Sequence, residues 1–442
     1  MLDNYFLHST GSGIMINTVL CIGLSGVCLF LIILQHYNRC PPFSIVQIQN
    51  YVWLFAFVLY SFNFLNYKTI NHIVILYSFL YLLFFNLSSL GKHYSLKNEY
   101  FNNPDSLYSL GLKGAVNDSK RVNLCAVASI VAWLLSVSIL KKSLPILLTN
   151  DLSTGLNILR NSTYSDYSIF STNEQMLMTY IIRPIFTVCI ILFAEQVAVR
   201  KINIKLAVIT ILDSFLLVLM TAGRALIVSL ILYITFAVII VNGISLKRFF
   251  LQYRKYIIPG VVLLIVIVNI VTQRINRNNG IFVEFLIYYF SGIPYFSELL
   301  KDGLIKPFTT FGGATFAFVF DAVFLALKML GLNIPLASQI ISHLTARVIE
   351  VAPGIYTNAT ASTLLAFYLD FGALGMIASG TILGYFTKRY ENNVVLRFNP
   401  LSFGRYLFLV VGIASSIQNY YFGNITTLMT WLFLGVLLRS YK

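Results

Sequence analysis

The sequence predicts an all-α polytopic membrane protein, and three observations lead to this fold class. Hydrophobic residues make up 58% of the 442 residues, whereas charged residues make up only 11%. A soluble domain carries about 25% charged residues, so this chain lacks the polar surface that a water-exposed fold needs. The third observation is a series of apolar runs close to the roughly 20 residues that a membrane-spanning helix requires. Together they exclude a soluble enzyme, a disordered chain and a nucleic-acid binder, despite the net charge of +15.

Eleven apolar runs are candidate transmembrane helices. In chain order they lie at about 14–34, 47–65, 70–90, 122–140, 176–196, 206–222, 225–242, 257–273, 363–386, 401–419 and 425–438. The stretch 206–242 is too long for one straight span, and Gly223 and Arg224 interrupt it near the middle. We interpret it as a helical hairpin with Arg224 at the bend. The whole chain, 1–442, is then a single polytopic membrane domain.

The distribution of Lys and Arg predicts the orientation. With the N-terminus outside, the short cytoplasmic segments hold 18 of the 31 Lys and Arg residues, whereas the short outward segments hold only Lys68 and Arg224. Positively charged loops stay in the cytoplasm during insertion. The loop 91–121 is therefore expected in the cytoplasm, and the loops 141–175 and 274–362 are expected outside.

The large outward loop 274–362 is the expected catalytic region. Its apolar stretches 281–299 and 314–332 are interrupted by acidic residues or by Gly and Pro. Because charges at bilayer depth are costly, we interpret both stretches as short amphipathic helices that are interfacial or re-entrant. The alternative is two further spans, which would leave the orientation unchanged.

Outward-facing arginines are candidate ligands for a phosphate group. The planar guanidinium can grip two phosphate oxygens at once and stays protonated when partly desolvated. Snorkelling to lipid headgroups is the alternative for each arginine taken singly. The outward arginines are Arg160, Arg183, Arg224, Arg274, Arg277 and Arg347.

His343, Arg347 and Glu350 form a second candidate cluster. Spacings of four and three residues would place them on one helical face, with Pro335 and Pro353-Gly354 as the limits of that helix. A histidine held by a carboxylate beside an arginine could act as a base with a phosphate anchor. An amphipathic helix with a wetted stripe is the alternative. No Cys/His spacing or acidic cluster indicates a metal, so neither a metal nor a cofactor is expected.

Two segments resemble the bacterial O-antigen polymerases of the Wzy type. The hairpin Met220-Thr-Ala-Gly-Arg-Ala-Leu226 resembles their small-Gly-Arg turn between adjacent spans. Tyr356-Thr-Asn-Ala-Thr-Ala-Ser-Thr, followed by Phe367-Tyr-Leu-Asp-Phe-Gly-Ala-Leu-Gly375, resembles their approach to a late span after a large outward loop. The layout of about eleven spans with one modest and one large outward loop is similar too. Their repeated Arg-x10-Gly pattern is not found at any outward arginine.

The resemblance implies a metal-independent glycosyltransferase in the bacterial inner membrane, with its active site facing the periplasm. Such an enzyme transfers the growing glycan from undecaprenyl pyrophosphate to the terminal sugar of an incoming lipid-linked oligosaccharide unit. Fixed arginines can stabilise the departing pyrophosphate. His343, Glu350 and Asp370 are the candidate bases for the attacking hydroxyl. A chain-length regulator and a flippase are further expected partners.

Two other functions remain open at this point. An O-antigen ligase, which transfers a finished glycan onto a lipid core or a protein, has the same chemical needs. A flippase or transporter of the lipid-linked glycan is the second alternative. Flippases usually place charges along a central cavity, whereas the uncompensated charges here gather in the outward loops, which favours an enzyme.

Overall fold

The computed structural model describes residues 2–38, 40, 43–91, 119–151, 154–156, 158–159, 169–221, 225–242, 281–329, 337–358, 361–396 and 399–439. The helices and strands within these ranges are α1 Leu2–Tyr37, α2 Ile45–Ser61, α3 His72–Ser89, α4 Ser119–Thr149, α5 Thr172–Ala198, α6 Ile204–Thr221, α7 Ala225–Asn242, α8 Ile281–Phe290, α9 Gly292–Lys301, α10 Ala317–Met329, α11 Ala337–Ala346, β1 Ile349–Ala352, β2 Ile355–Thr357, α12 Thr363–Leu396, α13 Pro400–Ala414 and α14 Ile425–Leu437.

Half of the helices in the described ranges have the length and apolarity of membrane spans. Within the described ranges seven qualify: Met15–Tyr37 of α1, α3, α4, α5, α6, Thr363–Asn392 of α12, and Pro400–Ile417, which adds a short 3-10 turn to α13. Three further apolar helical stretches are shorter, namely α2, Val228–Val241 of α7, and α14. The chain is thus an all-α membrane protein. Ten of the eleven expected spans coincide with these helices, whereas 257–273 lies outside the described residues, so the count of eleven stays a prediction.

The two apolar stretches of the large loop form short helices. The first, 281–299, is divided between α8 and α9, which have ten residues each and meet at Ser291. The second, 314–332, contains α10, which has 13 residues. Ten helical residues extend about 15 Å, half the thickness of the hydrocarbon core. Seven of the ten residues of α9 are buried, so this helix packs inside the protein on all but one side.

The chain divides into two compact units, of which unit 1 comprises Met1–Ser95, Phe282–Val395 and Gly412–Asn424. Side-chain amides link its first three helices in the core. Asn50 of α2 and Asn86 of α3 exchange two hydrogen bonds of 2.8 and 2.9 Å, and the Gln35 amide of α1 donates to Ser89 Oγ at 2.9 Å. All four side chains are fully buried. Reciprocal amide pairs satisfy groups that would otherwise be unpaired in a hydrocarbon environment.

Helix α12 of unit 1 packs against α3 through two glycines. A Cβ built on Gly380 would lie 2.7 Å from the Tyr81 carbonyl oxygen, and one on Gly384 would lie 2.1 Å from that of Phe85. Both distances are shorter than any real Cβ contact, so only glycine permits this approach. Small residues four positions apart are typical of closely packed membrane helices.

Contacts between loops of unit 1 join segments that the charge count places on the same side. On the expected outer side, the Lys68 amide donates to the Val351 carbonyl at 2.8 Å. On the expected cytoplasmic side, the Lys388 ammonium donates to the Leu90 carbonyl. Both contacts agree with the predicted alternation of loops.

Unit 2 comprises Leu96–Ile281, Leu396–Val411 and Ile425–Lys442, and α5 is its central helix. Fourteen of the 16 residues in Arg183–Ala198 are buried, because α4, α6, α7 and α14 all pack against them. Lys142 pairs with Glu174 at 2.6 Å on the expected outer side. Lys205 donates to Asn123 at 2.9 Å on the expected cytoplasmic side. The loop contacts of unit 2 thus follow the same alternation.

Candidate functional site

Four of the eight predicted site residues lie in the described part of the chain. They are His343, Arg347, Glu350 and Asp370, all in unit 1. Arg160, Arg224, Arg274 and Arg277 lie outside the described residues, so their role in pyrophosphate binding stays a prediction.

The expectation that His343, Arg347 and Glu350 share one helical face is wrong. Helix α11 ends at Ala346, and Glu350 belongs to β1. The chain turns from helix to strand because Val348, Ile349 and Val351 are β-branched, which favours an extended backbone. Strand β1 pairs antiparallel with β2, and Ala352 lies opposite Ile355 across a Pro-Gly turn. Gly354 has a φ of +70°, which the third position of a type II turn requires.

Glu350 is engaged by groups other than His343. Its Oε2 lies 2.9 Å from the Lys68 ammonium, and its Oε1 accepts a hydrogen bond of 3.0 Å from the Gly354 amide. Lys68, then the Gly354 amide, hold the pKa of Glu350 below its usual value, with a smaller effect from the Tyr356 hydroxyl. The pKa of Lys68 is raised in turn by Glu350. The lowered pKa makes the Glu350 carboxylate a weaker base. Its structural effect is to join the loop between α2 and α3 to the β-hairpin.

His343 and Arg347 are both exposed to solvent, one turn apart at the C-terminal end of α11. Within the described ranges, neither side chain has an acidic partner or a side-chain hydrogen bond. The backbone beneath them is fixed by Tyr295 of α9, whose hydroxyl lies 2.6 Å from the Leu344 carbonyl and 3.0 Å from the Arg347 carbonyl. Burial raises the pKa of Tyr295, and the Arg347 guanidinium opposes this effect. The result is an imidazole and an uncompensated guanidinium on a fixed helix end.

Asp370 is fully buried and holds a loop in place. Its Oδ1 accepts hydrogen bonds from the Thr310 hydroxyl at 2.6 Å, the Gly312 amide at 2.8 Å and the Ala314 amide at 2.9 Å. Its Oδ2 accepts from the Thr315 amide at 2.7 Å. Hydrogen bonds to a charged group contribute roughly 1.5–3 kcal/mol each. Because both oxygens are occupied and shielded from solvent, this geometry disfavours the base role expected for Asp370 and favours a structural one.

The loop that Asp370 holds has an unusual backbone. Phe308 and Phe311 have φ values of +57° and +46°. Bulky residues avoid this left-handed region, and each such residue costs on the order of 1–3 kcal/mol. After Asp370, α12 is kinked, with non-helical backbone at Phe371 and at Gly372, whose φ is +57°. The four hydrogen bonds to Asp370 offset this strain.

Arg183, one of the outward arginines that the sequence offers as candidate phosphate ligands, lies at an irregular point of its helix. It directly follows a π-helical turn, Met178–Ile182, in α5 of unit 2. Its buried Nε has no hydrogen-bond partner among the described residues. Such π turns occur frequently at functional sites. No periodicity in the sequence indicates this one, because the apolar run continues through it.

Asp213 of α6 is a second polar group that the sequence analysis did not single out. Its fully buried carboxylate accepts hydrogen bonds from Ser129 Oγ at 2.9 Å and Trp133 Nε1 at 2.6 Å. Both donors belong to α4, so the carboxylate ties two helices of unit 2 together. The sequence feature that indicates this buried carboxylate is a single acidic residue within the apolar run 206–222.

The described residues contain no group of three or more His, Cys, Asp or Glu side chains that could hold a metal ion. All five cysteines are buried and free. Comparisons of the chain with protein-family models, with curated proteins and with solved structures gave no match.

Proposed function

We propose that this membrane protein is a glycosyltransferase that polymerises lipid-linked oligosaccharide repeat units. The observation that carries the proposal is the pair His343 and Arg347, exposed at the end of α11 and without an acidic partner among the described residues. An arginine free of a carboxylate is available to a phosphate group. The nearest acidic residue in the sequence, Glu350, is engaged by Lys68.

The proposed reaction divides between these two residues. The imidazole of His343 takes the proton from the terminal sugar hydroxyl of the incoming unit. The hydroxyl oxygen then forms a bond to the anomeric carbon of the growing glycan, and the bond from that carbon to undecaprenyl pyrophosphate breaks. Arg347 stabilises the negative charge that develops on the departing pyrophosphate. Glu350 positions the β-hairpin instead of orienting the histidine.

The location follows from the charge distribution. Residues 343 and 347 belong to the loop 274–362, which the distribution of Lys and Arg predicts to lie outside. We therefore propose that the reaction takes place on the periplasmic side of the bacterial inner membrane. The donor and acceptor are both carried on undecaprenyl pyrophosphate, and a chain-length regulator and a flippase act beside the enzyme.

Deletion of the gene, followed by electrophoresis of the surface glycan, tests the proposal. Loss of a polymerase leaves single repeat units attached to the core. Loss of all attached glycan would indicate the ligase, and retention of the repeat unit inside the cell would indicate the flippase. Either result would overturn the proposed polymerase activity.

Complementation with His343→Ala tests the assignment of the base. We expect this variant to leave single repeats although the protein is inserted at the normal level. A ladder of normal length and intensity per unit of inserted protein would show that the base lies elsewhere.

A further inference from the structure

Four phenylalanines of unit 1 form an exposed surface, here called the phenylalanine patch. Phe308, Phe311 and Phe316 lie between α9 and α10 and are 48%, 67% and 40% exposed. Phe371, at the kink of α12, is 37% exposed and its ring contacts that of Phe308 edge-on. Contiguous exposed apolar surface in a folded protein marks a site of interaction with another apolar surface.

The loop that exposes the phenylalanine patch has a strained backbone. The left-handed conformations of Phe308 and Phe311 are ones that phenylalanine avoids. The buried carboxylate of Asp370 fixes the loop between them and α10 with four hydrogen bonds. Strained backbone that its surroundings over-determine is typical of functional segments.

The patch continues the apolar outer face of a membrane span. Beyond Phe371, large apolar or aromatic side chains are exposed on α12 at helical spacing, with Leu374 at 64%, Ile382 at 42% and Tyr385 at 49% exposure, and the small polar Thr381 is exposed among them. Helix α12 is among the candidate spans, so this face meets lipid chains. The patch therefore stands at the end of a lipid-facing surface.

Basic and aromatic residues beside the patch fit the headgroup region. Lys306 is exposed on the same loop, and Lys301, the last residue of α9, is exposed just before it. The Lys301 ammonium pairs with Glu298 at 2.7 Å and donates to the Thr69 carbonyl, so it joins this loop to a second one with exposed phenylalanines, Phe62 at 78% and Phe64 at 65%. Lysines that reach anionic headgroups above inserted aromatic rings are the usual composition of interfacial anchors.

We propose that the phenylalanine patch inserts into the lipid interface on the side of the membrane where α12 begins, with Lys306 at the headgroups and Asp370 as the positioning residue. The occupant of the patch is the bilayer itself. This inference does not depend on the proposed glycosyltransferase activity, because it uses only the fold and the exposed surface.

Environment-sensitive fluorophores on single cysteines test the insertion in vesicles of phosphatidylglycerol and phosphatidylethanolamine. The five native cysteines are buried, so introduced thiols are labelled selectively in the folded chain. Labels on Phe308→Cys and Phe311→Cys should show blue-shifted emission, quenching by nitroxide lipids and protection from iodide. A label on Asp302→Cys, exposed at the start of the same loop, is the matched control and should remain accessible to iodide.

Equal iodide quenching at positions 302 and 311 in vesicles would overturn the proposal. Protection that arises only in native membranes would identify a protein partner, and protection that requires added isoprenoid phosphate would identify the lipid substrate; each would also overturn it. As a test on the unmodified chain, photoactivatable lipids should cross-link to peptides covering 304–316. Failure to cross-link there while other lipid-facing segments react would contradict insertion.

Asp370→Asn in the Phe311→Cys background tests the positioning role. An amide presents one acceptor oxygen where the carboxylate presents two, so the loop should loosen and the label should lose its lipid quenching. The buried native cysteines should stay unreactive toward thiol reagents. This readout distinguishes a moved loop from an unfolded chain. Asp302→Asn is the matched control and should leave the quenching unchanged. Unchanged quenching in Asp370→Asn would overturn the role of Asp370.

Discussion

At the residue scale, Arg347 is the side chain on which the proposed chemistry depends most. It is exposed just beyond the end of α11, and Glu350, three positions later, is engaged by Lys68 and the Gly354 amide. An arginine paired with a carboxylate would have to lose that partner before binding a phosphate group. Arg347 carries no such cost in the described structure.

Arg347→Ala should therefore abolish the polymer ladder while the protein remains inserted. Loss of one charge-assisted contact in the transition state costs about 3 kcal/mol, roughly a hundredfold in rate. Arg347→Lys should recover part of the activity, because an ammonium lacks the bidentate geometry. Arg389→Ala, at an exposed arginine of the same unit on the expected cytoplasmic side, is the control. A normal ladder in Arg347→Ala would place the phosphate site elsewhere.

The Lys68–Glu350 pair makes a second prediction, on pH. The pKa of Glu350 is lowered in the folded chain, so the pair stabilises docking of the loop at neutral pH. That contribution is lost as the pH falls through the lowered pKa, below the usual glutamate value of about 4.3. Hydrogen exchange at the Lys68 amide, which donates to Val351, reports the docking.

We expect Glu350→Gln to raise the exchange rate of the Lys68 amide at neutral pH. In the wild type, lowering the pH should also raise this rate, after correction for the pH dependence of intrinsic amide exchange. Asp302→Asn serves as a control, because it removes a carboxylate that has no hydrogen bond or ion pair with the loop between α2 and α3 in the described part of the chain. Exchange at Lys68 that is the same in Glu350→Gln and in the wild type would show that the backbone contact alone holds the loop.

Single residues also show where sequence reasoning ends. His343, Arg347 and Asp370 were identified from the sequence as chemically interesting, and the first two are exposed. The partners of Asp370 at 310–315 and of Glu350 at 68 could not be predicted, because these contacts join residues 55 or more positions apart. Helical spacing suggested that Glu350 holds His343, and this failed because the spacing argument assumed a helix that ends four residues earlier.

At the element scale, the glycines of α12 determine how closely it approaches α3. Gly380 and Gly384 leave no room for a Cβ between the two backbones. Helices without a hydrophobic driving force between them depend on this kind of close van der Waals packing.

Gly384→Ala should therefore destabilise the protein by about 1–3 kcal/mol, the usual cost of overpacking. The buried native cysteines serve as reporters, since a thiol-reactive dye becomes fluorescent as the chain unfolds on heating. Gly26→Ala on α1, where a Cβ would meet nothing within 4 Å, should leave the midpoint unchanged or slightly raised. Equal midpoints for Gly384→Ala and the wild type would contradict the tight α3–α12 contact.

Elements with strong periodicity were predictable and the interruptions were not. The apolar runs predicted ten of the helices, because an apolar run of about 20 residues rarely forms anything other than a transmembrane helix. The π turn in α5 and the kink at Phe371 and Gly372 were missed, since the apolar pattern continues through both. At the β-hairpin 349–357 the sequence predicts the end of a helix, because Pro353-Gly354 ends a helix and turns a hairpin equally well.

At the scale of the whole molecule, the loop contacts of both units follow one pattern. Each joins segments that the distribution of Lys and Arg places on the same side. Within each unit, these contacts show which segments lie together, whereas the charge count predicts which side is cytoplasmic.

Cysteine labelling with a membrane-impermeant reagent tests this topology in cells with a permeabilised outer membrane. Leu148→Cys and Asp302→Cys should be labelled, and Lys113→Cys and Lys201→Cys should be protected until the inner membrane is opened. The wild type, with five buried cysteines, provides the background. Labelling of positions 113 and 201 but not 148 and 302 would reverse the orientation.

The amide network of unit 1 has a consequence for how the protein is made. Helix α2 carries Gln47, Gln49 and Asn50, all buried in the finished fold. Until α3 is inserted beside α2, Asn50 lacks its partner Asn86, and an amide without a partner in hydrocarbon costs several kcal/mol. Helix α2 therefore gains a stable place in the bilayer only once α3 has been synthesised, and the first three helices enter the membrane as a cooperative group.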